Sequence, residues 1–319
     1  MLSLGNGVAC SVNGGRVLFD PHRKVREGLV CISHGHSDHA KRHDATTLMT
    51  QATMDITGIA GEPIEYGHEL HGITAHNAGH VLGSAQFQAG GMVYTGDLLT
   101  DNPLLGGAEP IECDDLVIEA TFGLPEFVFR PREEIIADIS AWVRANHEAG
   151  RTVVLGGYPL GKSQELTKIV TDAGYTPLVH PDIARINTIY ENNGVRLGKW
   201  IATDSPEAHE LSRSAFVAVM PFRRVNAELI QSLERQSGAK TVAALATGWA
   251  VRNGLGIKAF PLSDHADFPH LIDYVERACP KRVHTVHGFA NEFARQLQRR
   301  GWKASQLRPQ QKTLSHWSE

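Results

Sequence analysis

The sequence predicts an α/β fold. In the first third, short apolar runs of the kind that form strands are separated by glycines. In the middle third, runs with helical periodicity alternate with apolar runs, which indicates a parallel α/β unit. In the last third, short apolar runs return and end at histidine. The simplest interpretation is one domain interrupted by a second domain near residues 125–246.

The first third is predicted to contain strands that end in polar, often ionisable residues. These strands cover residues 16–19, 29–33, 92–95 and 116–120, and the polar residues at their ends are Asp20, His34, Asp97 and Glu119. In α/β enzymes, side chains at strand ends form the site at one edge of the sheet. We therefore expect a functional site built from several strand ends.

The middle third is predicted to alternate between helices and strands. Residues 132–149 form an amphipathic helix, because Ile135, Ile139, Trp142 and Val143 share one face and Gly150 ends it. Further helices are predicted at 163–173 and 181–192, and strands at 152–155, 177–179, 215–220 and 241–246. Two more strands are predicted in the last third, at 257–263 and 282–286.

Composition narrows the class of protein. The 319 residues suggest two domains, and 42% hydrophobic with 21% charged residues is ordinary for a globular protein. The net charge of −4 excludes nucleic-acid binding through bulk positive charge. The 17 histidines are clustered, which indicates a chemical site.

The cysteines and the amino terminus predict a cytoplasmic protein. The four cysteines lie far apart and form no CxxC pair, so we expect reduced thiols, with neither a disulfide framework nor a zinc knuckle. No signal sequence and no apolar run long enough for a membrane span is evident. We therefore expect no association with a membrane.

The strongest motif follows the predicted strand at 29–33. Residues 34–39 have the sequence HGHSDH, which supplies His34, His36, Asp38 and His39. Because burying so many unpaired polar groups is costly, the motif predicts a metal site. Two ions roughly 3.5–4 Å apart form a clamp for hydrolysis, and imidazole with carboxylate favours zinc.

Further ligands are expected from distant strand ends. His80 lies between Gly79 and Gly83, which leave room around its ring. Asp97 follows a predicted strand, where its carboxylate can bridge two ions. Asp20 is a candidate to orient a ligating imidazole from outside the coordination sphere.

These residues carry a resemblance to a known family. The order Asp20, HxHxDH, His80, Asp97 resembles the metallo-β-lactamase fold, an αββα sandwich of two facing sheets flanked by helices. Three later segments resemble motifs A, B and C of the β-CASP nucleases, namely LVIEATFG at 116–123, LSDHAD at 262–267 and VHG at 286–288. The resemblance implies a discontinuous core of residues 1–124 and 247–319 with an inserted α/β β-CASP cap of residues 125–246.

The resemblance also implies a role for each site residue. One Zn²⁺ is bound by His34, His36 and His80. A second Zn²⁺ is bound by Asp38, His39 and His287, and Asp97 bridges the two ions. A hydroxide held between the ions attacks phosphorus, and Asp38 also orients that water. His265, held by Glu119, acts as the general acid that protonates the leaving oxygen.

A second motif competes for interpretation. Residues 156–163 match GxxxxGK[ST], follow a predicted strand and open a predicted helix, as a P-loop does. Neither later strand of the middle third ends in the Asp that Mg²⁺ needs, and GKSQEL at 161–166 resembles a segment of the β-CASP cap. We therefore expect Lys162 and Ser163 to contact a substrate phosphate at the helix N-terminus instead of serving ATP hydrolysis.

The implied substrate is RNA, because His at the position of His287 is typical of the RNA-processing branch. The prediction is therefore a two-zinc phosphodiesterase in RNA processing, acting as an endonuclease, a 5′–3′ exonuclease or both. The alternative is a DNA exonuclease in repair, since residues 119–125 and 247–249 resemble a group that includes ligase-associated DNA exonucleases. A small-molecule metallo-hydrolase is a further alternative. The expected partner is RNA or single-stranded DNA, while a homodimer and partners in a processing complex stay open.

Overall fold

A computed structural model describes residues 2–12, 14–252 and 256–308. Its strands form sheets of six, seven and six strands. The first sheet contains β1 (Ser3–Gly5), β2 (Gly7–Val12), β3 (Gly15–Phe19), β4 (Leu29–Cys31), β5 (Thr46–Met49) and β6 (Glu62–Pro63). The second contains β7 (Glu69–Leu70), β8 (Ile73–Asn77), β9 (Ala85–Ala89), β10 (Met92–Tyr94), β11 (Asp115–Glu119), β18 (Arg282–Val286) and β19 (Ala304–Gln306).

The third sheet comes from the middle of the chain. It contains β12 (Thr152–Gly157), β13 (Leu178–Val179), β14 (Ile201–Ala202), β15 (Val217–Pro221), β16 (Thr241–Ala246) and β17 (Lys258–Phe260). The helices are α1 (Gln51–Thr57), α2 (Arg132–Glu148), α3 (Lys162–Asp172), α4 (Pro181–Asn192), α5 (Pro206–Leu211), α6 (Ala227–Ser237), α7 (Phe268–Ala278) and α8 (Ala290–Arg299).

The first two sheets each combine antiparallel and parallel pairing. The first runs in the order β1-β2-β3-β4-β5-β6 and is parallel from β3 onward. The second runs β19-β18-β11-β10-β9-β8-β7, with β10, β11, β18 and β19 parallel. The other strands of the second sheet all come from residues before 120, so β18 and β19 bring the last part of the chain back to this sheet.

A shared core joins the first two sheets. Phe19 and Leu48 of the first sheet lie in one cluster of buried side chains with Phe87 and Val117 of the second. Along β11 the side chains alternate, so Val117 faces this cluster while Leu116 and Ile118 face the opposite way. The opposite face of the second sheet is covered by α7 and α8.

The third sheet is parallel throughout and covered on both faces. Its order is β14-β13-β15-β12-β16-β17. In β12, Val153 and Leu155 pack against α2, α3 and α4, while Val154 packs on the side of α5 and α6. This double cover explains why β12 is apolar over almost its whole length.

The structure confirms the predicted mixed α/β fold. The helices predicted at 132–149 and 163–173 are α2 and α3, and the strand predicted at 241–246 is β16. The third sheet, however, extends past residue 246, because Lys258 of β17 pairs with Ala244 of β16. A three-residue strand carries no local signal for the sheet that it joins. In the described ranges, no helix combines the length and apolarity that a membrane crossing requires.

A strained helix end gives a test of this fold. Cys279 ends α7 in the left-handed conformation, with φ 45° and ψ 47°. Because that conformation costs a non-glycine residue roughly 1–2 kcal/mol, we expect Cys279→Gly to stabilise the protein by about 0.5–1 kcal/mol. The measurement is the urea unfolding midpoint at constant slope.

The matched control for this substitution is Ala149→Gly. Ala149 ends α2 at φ −78°, where glycine relieves no strain. This variant should leave stability unchanged or lower it. Equal effects of the two glycine substitutions would show that the end of α7 stores no strain.

Candidate metal centre

The site is built at strand ends. Asp20 follows β3, the HGHSDH motif follows β4, and Asp97 follows β10 after two residues. Glu119 is the last residue of β11, and His287 follows β18 directly. Parallel neighbouring strands bring their carboxyl ends to one edge of a sheet. Because the two sheets share a core, the edges of both meet at one place.

Four side chains form a first candidate metal-binding group. One donor atom from each of His34, His36, His80 and Asp97 lies within 4.8 Å of the other three. Asp97 Oδ2 lies 3.5 Å from His34 Nε2 and 3.8 Å from His80 Nε2. His34, His80 and Asp97 are buried, and His36 is half-buried.

Hydrogen bonds on the outer side of the rings decide which nitrogens are bare. His80 Nδ1 donates to the backbone carbonyl of Asp264 at 2.8 Å, and His36 Nε2 donates to the carbonyl of Leu160 at 3.3 Å. Each ring therefore turns an unprotonated nitrogen inward, and His36 Nδ1 and His80 Nε2 lie only 3.1 Å apart. Two facing lone pairs at this distance repel unless a cation lies between them.

His34 carries the same signature. Ser33 Oγ donates to Asp20 Oδ2 at 2.5 Å, so it accepts from His34 Nδ1 at 2.9 Å. His34 Nε2 is then bare, buried and without a hydrogen-bond partner. Burial, together with the neighbouring imidazoles, lowers the pKa of His34 and His80 well below 6.5. Neutral imidazoles with inward lone pairs are the form that binds a metal ion, so this group fits one.

A second candidate group shares Asp97. It consists of His39, Asp97 and His287, and His39 Nε2 lies 3.6 Å from Asp97 Oδ2. Burial opposes the charged form of His39, but the Asp97 and Asp20 carboxylates outweigh it and raise its pKa to about 10. The two carboxylates therefore strongly favour a positive charge beside His39.

Asp20 holds His39 from behind. Its Oδ2 accepts from His39 Nδ1 at 2.8 Å and from the hydroxyl groups of Ser33 and Tyr94, while Oδ1 accepts from the Ser33 N–H at 2.7 Å. Burial alone would raise the pKa of Asp20, but His39 and these donors lower it. Tyr94 was not predicted, although a tyrosine in a buried strand three residues before Asp97 needs a hydroxyl partner.

Asp38 lies at the margin of the site. Its carboxylate is 3.8 Å from His39 Nε2, and its side chain is 81% exposed. Within the described residues it joins none of the candidate metal-binding groups. The other six predicted metal-binding residues make up the two candidate groups, which share Asp97.

The backbone at two site residues is strained. Asp20 and His287 have φ of 45° and 58°, in the left-handed region that side chains disfavour. Gly288, beside His287, packs so closely that a Cβ would lie 2.4 Å from the Ala120 carbonyl oxygen. Such strain persists only where surrounding packing imposes it, and it is concentrated at functional sites.

A buried carboxylate–imidazole pair lies next to the metal-binding groups. His265 Nδ1 donates to Glu119 Oε1 at 2.8 Å, and Glu119 also accepts from the N–H groups of Leu98 and Thr121. Burial lowers the pKa of His265, but Glu119 outweighs that effect and raises it to about 9. His265 and Asp97 both line an open cleft of about 390 Å³.

Lys162 and Ser163 bond to other groups of the protein. Lys162 is buried, and its Nζ bonds to Asp264 Oδ1 at 2.6 Å and lies 3.4 Å from Glu165 Oε2. Ser163 is fully buried and donates to the carbonyl of Tyr158 at 2.8 Å. The polar groups of both residues are bonded to protein groups, and Lys162 also lines the cleft, so a phosphate contact by either residue stays a prediction.

A buried ionic network supports the first candidate metal-binding group. Arg132 bonds to both carboxylate oxygens of Glu165 at 2.9 Å and donates to the Ser263 carbonyl. Together with Lys162, it holds the loop whose Asp264 carbonyl orients His80. The sequence offered no sign of this role, because a backbone carbonyl acts regardless of residue type.

Comparisons with known proteins agree with the motifs. The chain is 34% identical over 296 residues to a probable DNA ligase of Opitutus terrae. This match covers 86% of this chain and 28% of that protein. It is 33% identical over 154 residues to endoribonuclease YSH1 of Candida albicans, with 46% of this chain and 16% of that protein covered. The chain belongs to the β-CASP family of metallo-β-lactamase proteins.

Two further comparisons bear on this β-CASP protein. A crystal structure of an Enterococcus faecalis protein of unknown function superposes with a TM-score of 0.59 at 14% identity, covering 83% of this chain and 76% of the other. That likeness concerns the fold. No family model matches the chain. The β-CASP chain spans 16–28% of the length of the curated relatives considered.

The ionic network predicts an effect on metal affinity. We expect Lys162→Met to weaken zinc binding about tenfold, because an unpaired Asp264 shifts the carbonyl that orients His80. Zinc affinity is measured by competition with a chromophoric chelator. Since leaving buried carboxylates unpaired destabilises a protein, the double variant Lys162→Met/Asp264→Asn should recover part of both stability and affinity.

The control is Lys168→Met on the same helix. Lys168 pairs with Asp172 at the surface, so its loss should leave zinc affinity unchanged. Wild-type affinity in a folded Lys162→Met variant would contradict the positioning role of Lys162.

Proposed function

We propose that this β-CASP protein is a metal-dependent phosphodiesterase that cleaves nucleic acid. The observation that carries the proposal is the set of bare imidazole nitrogens around Asp97, beside the Glu119–His265 pair in one open cleft. A site for metal ions next to a protonated imidazole suits hydrolysis with a poor leaving group.

We propose two Zn²⁺ ions as the metal. His34, His36 and His80 would hold one ion, His39, His287 and Asp38 the other, and Asp97 would contact both. Asp38 would need to turn toward the site from its exposed position. When bound, two such ions acidify a water molecule and stabilise negative charge on the reacting phosphate.

The proposed general acid is His265. Glu119 accepts a hydrogen bond from His265 Nδ1–H, so the ring presents Nε2 to the cleft and stays protonated near neutral pH. From Nε2 the proton passes to the oxygen that leaves phosphorus. Glu119 acts through His265, since its own oxygens are taken by His265 and backbone N–H groups.

For the fold, we propose a metallo-β-lactamase αββα sandwich with an inserted β-CASP cap. The shared core of the first two sheets and the cover by α7 and α8 support the sandwich. The parallel third sheet with its own helices supports the cap. The pairing of β16 with β17 supports a cap that ends near residue 260 instead of 246.

RNA is the first candidate substrate. The YSH1 protein that matches 46% of this chain is named an endoribonuclease, and His287 lies in the candidate metal-binding group with His39 and Asp97. A protein that acts on RNA with this site would serve in RNA processing.

DNA is the second candidate, and a specific observation favours it. The match that covers 86% of this chain is to a protein named a probable DNA ligase, whereas the endoribonuclease match covers 46%. A nuclease carried within a ligase-named protein would trim DNA ends during repair.

The first experiment distinguishes these substrates. Zinc-loaded protein is incubated with end-labelled RNA and DNA of matched sequence that carry 5′-hydroxyl, monophosphate or triphosphate ends. Preferential cleavage of either RNA or DNA identifies the substrate, and the product lengths show the direction of cleavage. Turnover of a small ester with both nucleic acids intact would refute the nuclease proposal.

Loss of the central carboxylate should abolish cleavage. We expect Asp97→Ala to lower the cleavage rate at least 10³-fold, because the substitution removes the carboxylate that both candidate metal-binding groups share. A chelator should inactivate the wild-type protein, and added zinc should restore it. The exposed Asp114→Ala, outside the cleft, is the matched control and should keep full activity.

The acid role of His265 predicts dependence on the leaving group. We expect His265→Ala to slow cleavage of an oligonucleotide by about 10²–10⁴-fold. Hydrolysis of bis(p-nitrophenyl) phosphate should fall less than about tenfold, since nitrophenolate leaves without a proton. Equal losses on both substrates would contradict the acid role.

A further inference from the structure

A row of aromatic side chains crosses one edge of the third sheet. Within that sheet β15, β12 and β16 are parallel neighbours, so their carboxyl ends lie side by side. Phe222 follows β15 directly, Tyr158 follows β12 directly, and Trp249 lies three residues beyond β16. Ligands of parallel sheets bind at this kind of edge.

The strand register brings the first two rings together. Gly157 pairs with Pro221, so the next residues, Tyr158 and Phe222, are also neighbours. Their rings are parallel within 2°, with centroids 5.9 Å apart in an offset stack. Tyr158 is nonetheless 54% exposed and lines the cleft that holds the metal-binding groups.

Trp249 lies in the same cleft on a rigid support. It belongs to a 3₁₀ turn at Gly248–Val251, whose Gly248 packs so tightly that a Cβ would lie 2.5 Å from Phe122 Cζ. Phe122 and Phe127 pack against the indole with centroids 5.0 and 5.6 Å away. The ring still remains 41% exposed.

The exposed aromatic rings are concentrated at this cleft, although exposing apolar surface to water is unfavourable. In the parts of the chain that the structure describes, five large hydrophobic side chains are exposed, and two of them, Tyr158 and Trp249, line the cleft that holds the candidate metal-binding groups. Exposed aromatic groups beside a site mark a binding surface more often than chance.

Cationic groups accompany the row. Arg223 and Arg224 follow Phe222 and are exposed, and within the described residues neither forms an ion pair. Near the other end of the row, the Arg252 guanidinium lies 4.6 Å from the centroid of the Phe127 ring and pairs with Glu126 at the surface. Aromatic faces with arginines at the flanks match the alternation of bases and phosphates in a single strand.

We propose that Tyr158 and Trp249 form a stacking site for unpaired nucleobases of the strand that enters the metal centre. The inference rests on the proposed function, since it assigns a nucleic-acid strand to the same cleft. A duplex hides its base faces within the helix, so this site selects single-stranded segments or frayed ends. Stacking is tolerant of sequence because every base has a π-face.

The test measures binding separately from cleavage. The dissociation constant of a fluorescent single-stranded oligonucleotide is measured by anisotropy in an Asp97→Ala background, both with its bases and with abasic residues in their place. We expect Trp249→Ala to weaken binding of the base-bearing strand about 5–150-fold, as loss of one stacked base does. The abasic strand should bind both proteins equally weakly.

Conservative variants separate stacking from mere bulk. Trp249→Phe should retain most of the affinity, whereas Trp249→Leu should behave like Trp249→Ala. The control is Tyr66→Ala, an aromatic residue that is 42% exposed away from this cleft, and it should bind like the parent. Tyr158→Ala should reproduce the Trp249→Ala pattern.

Each outcome bears on the inference. Equal weakening of base-bearing and abasic strands in Trp249→Ala, or no weakening of either, would overturn the stacking site while leaving the proposed nuclease intact. Binding with base-dependent loss in a protein whose zinc-loaded parent cleaves no strand would support the stacking site and overturn the nuclease. Preference for a duplex over a single strand would also overturn the stacking site.

Discussion

The arrangement of this protein depends on a cluster of bare imidazole nitrogens around the Asp97 carboxylate. Facing lone pairs repel one another, and an unpartnered nitrogen in a buried site is costly, so the cluster is stable only with a cation. The outer contacts of the rings enforce this state: Ser33 accepts from His34, and backbone carbonyls accept from His36 and His80. The left-handed backbone at Asp20 and His287 shows that strand packing bears part of the cost.

The third sheet contributes to the candidate metal site, because residues that follow β12 contact its side chains and the loop beside them. The Leu160 carbonyl accepts from His36, and Lys162 pairs with Asp264, whose carbonyl accepts from His80. Two rings of the candidate metal-binding group therefore depend on contacts of the segment that leads into α3. A sequence that resembles a phosphate-binding loop here supplies structural contacts: its lysine neutralises buried carboxylates, and its serine closes onto the preceding loop.

The net charge of −4 is consistent with this arrangement. For the proposed nuclease, attraction of a polyanion would not require a positive surface, because bound metal ions would concentrate positive charge at the site. The proposed stacking site would add contacts that depend on π-faces instead of charge. The histidines concentrate at the same point: His34, His36, His39, His80, His265 and His287 all lie at one cleft or against Asp97 behind it.

The sequence by itself determined the α/β class, most helices of the middle third and the residues that come together around Asp97. Those features follow from local periodicity and from reactive side chains at strand ends, which parallel pairing brings to one edge. Only the tertiary structure decided the partners of Lys162 and Ser163, the sheet that β17 joins, the outward position of Asp38 and the row formed by Phe222, Tyr158 and Trp249. These depend on which distant strands become neighbours and on backbone carbonyls, whose chemistry is the same at every residue and so leaves no mark in the sequence.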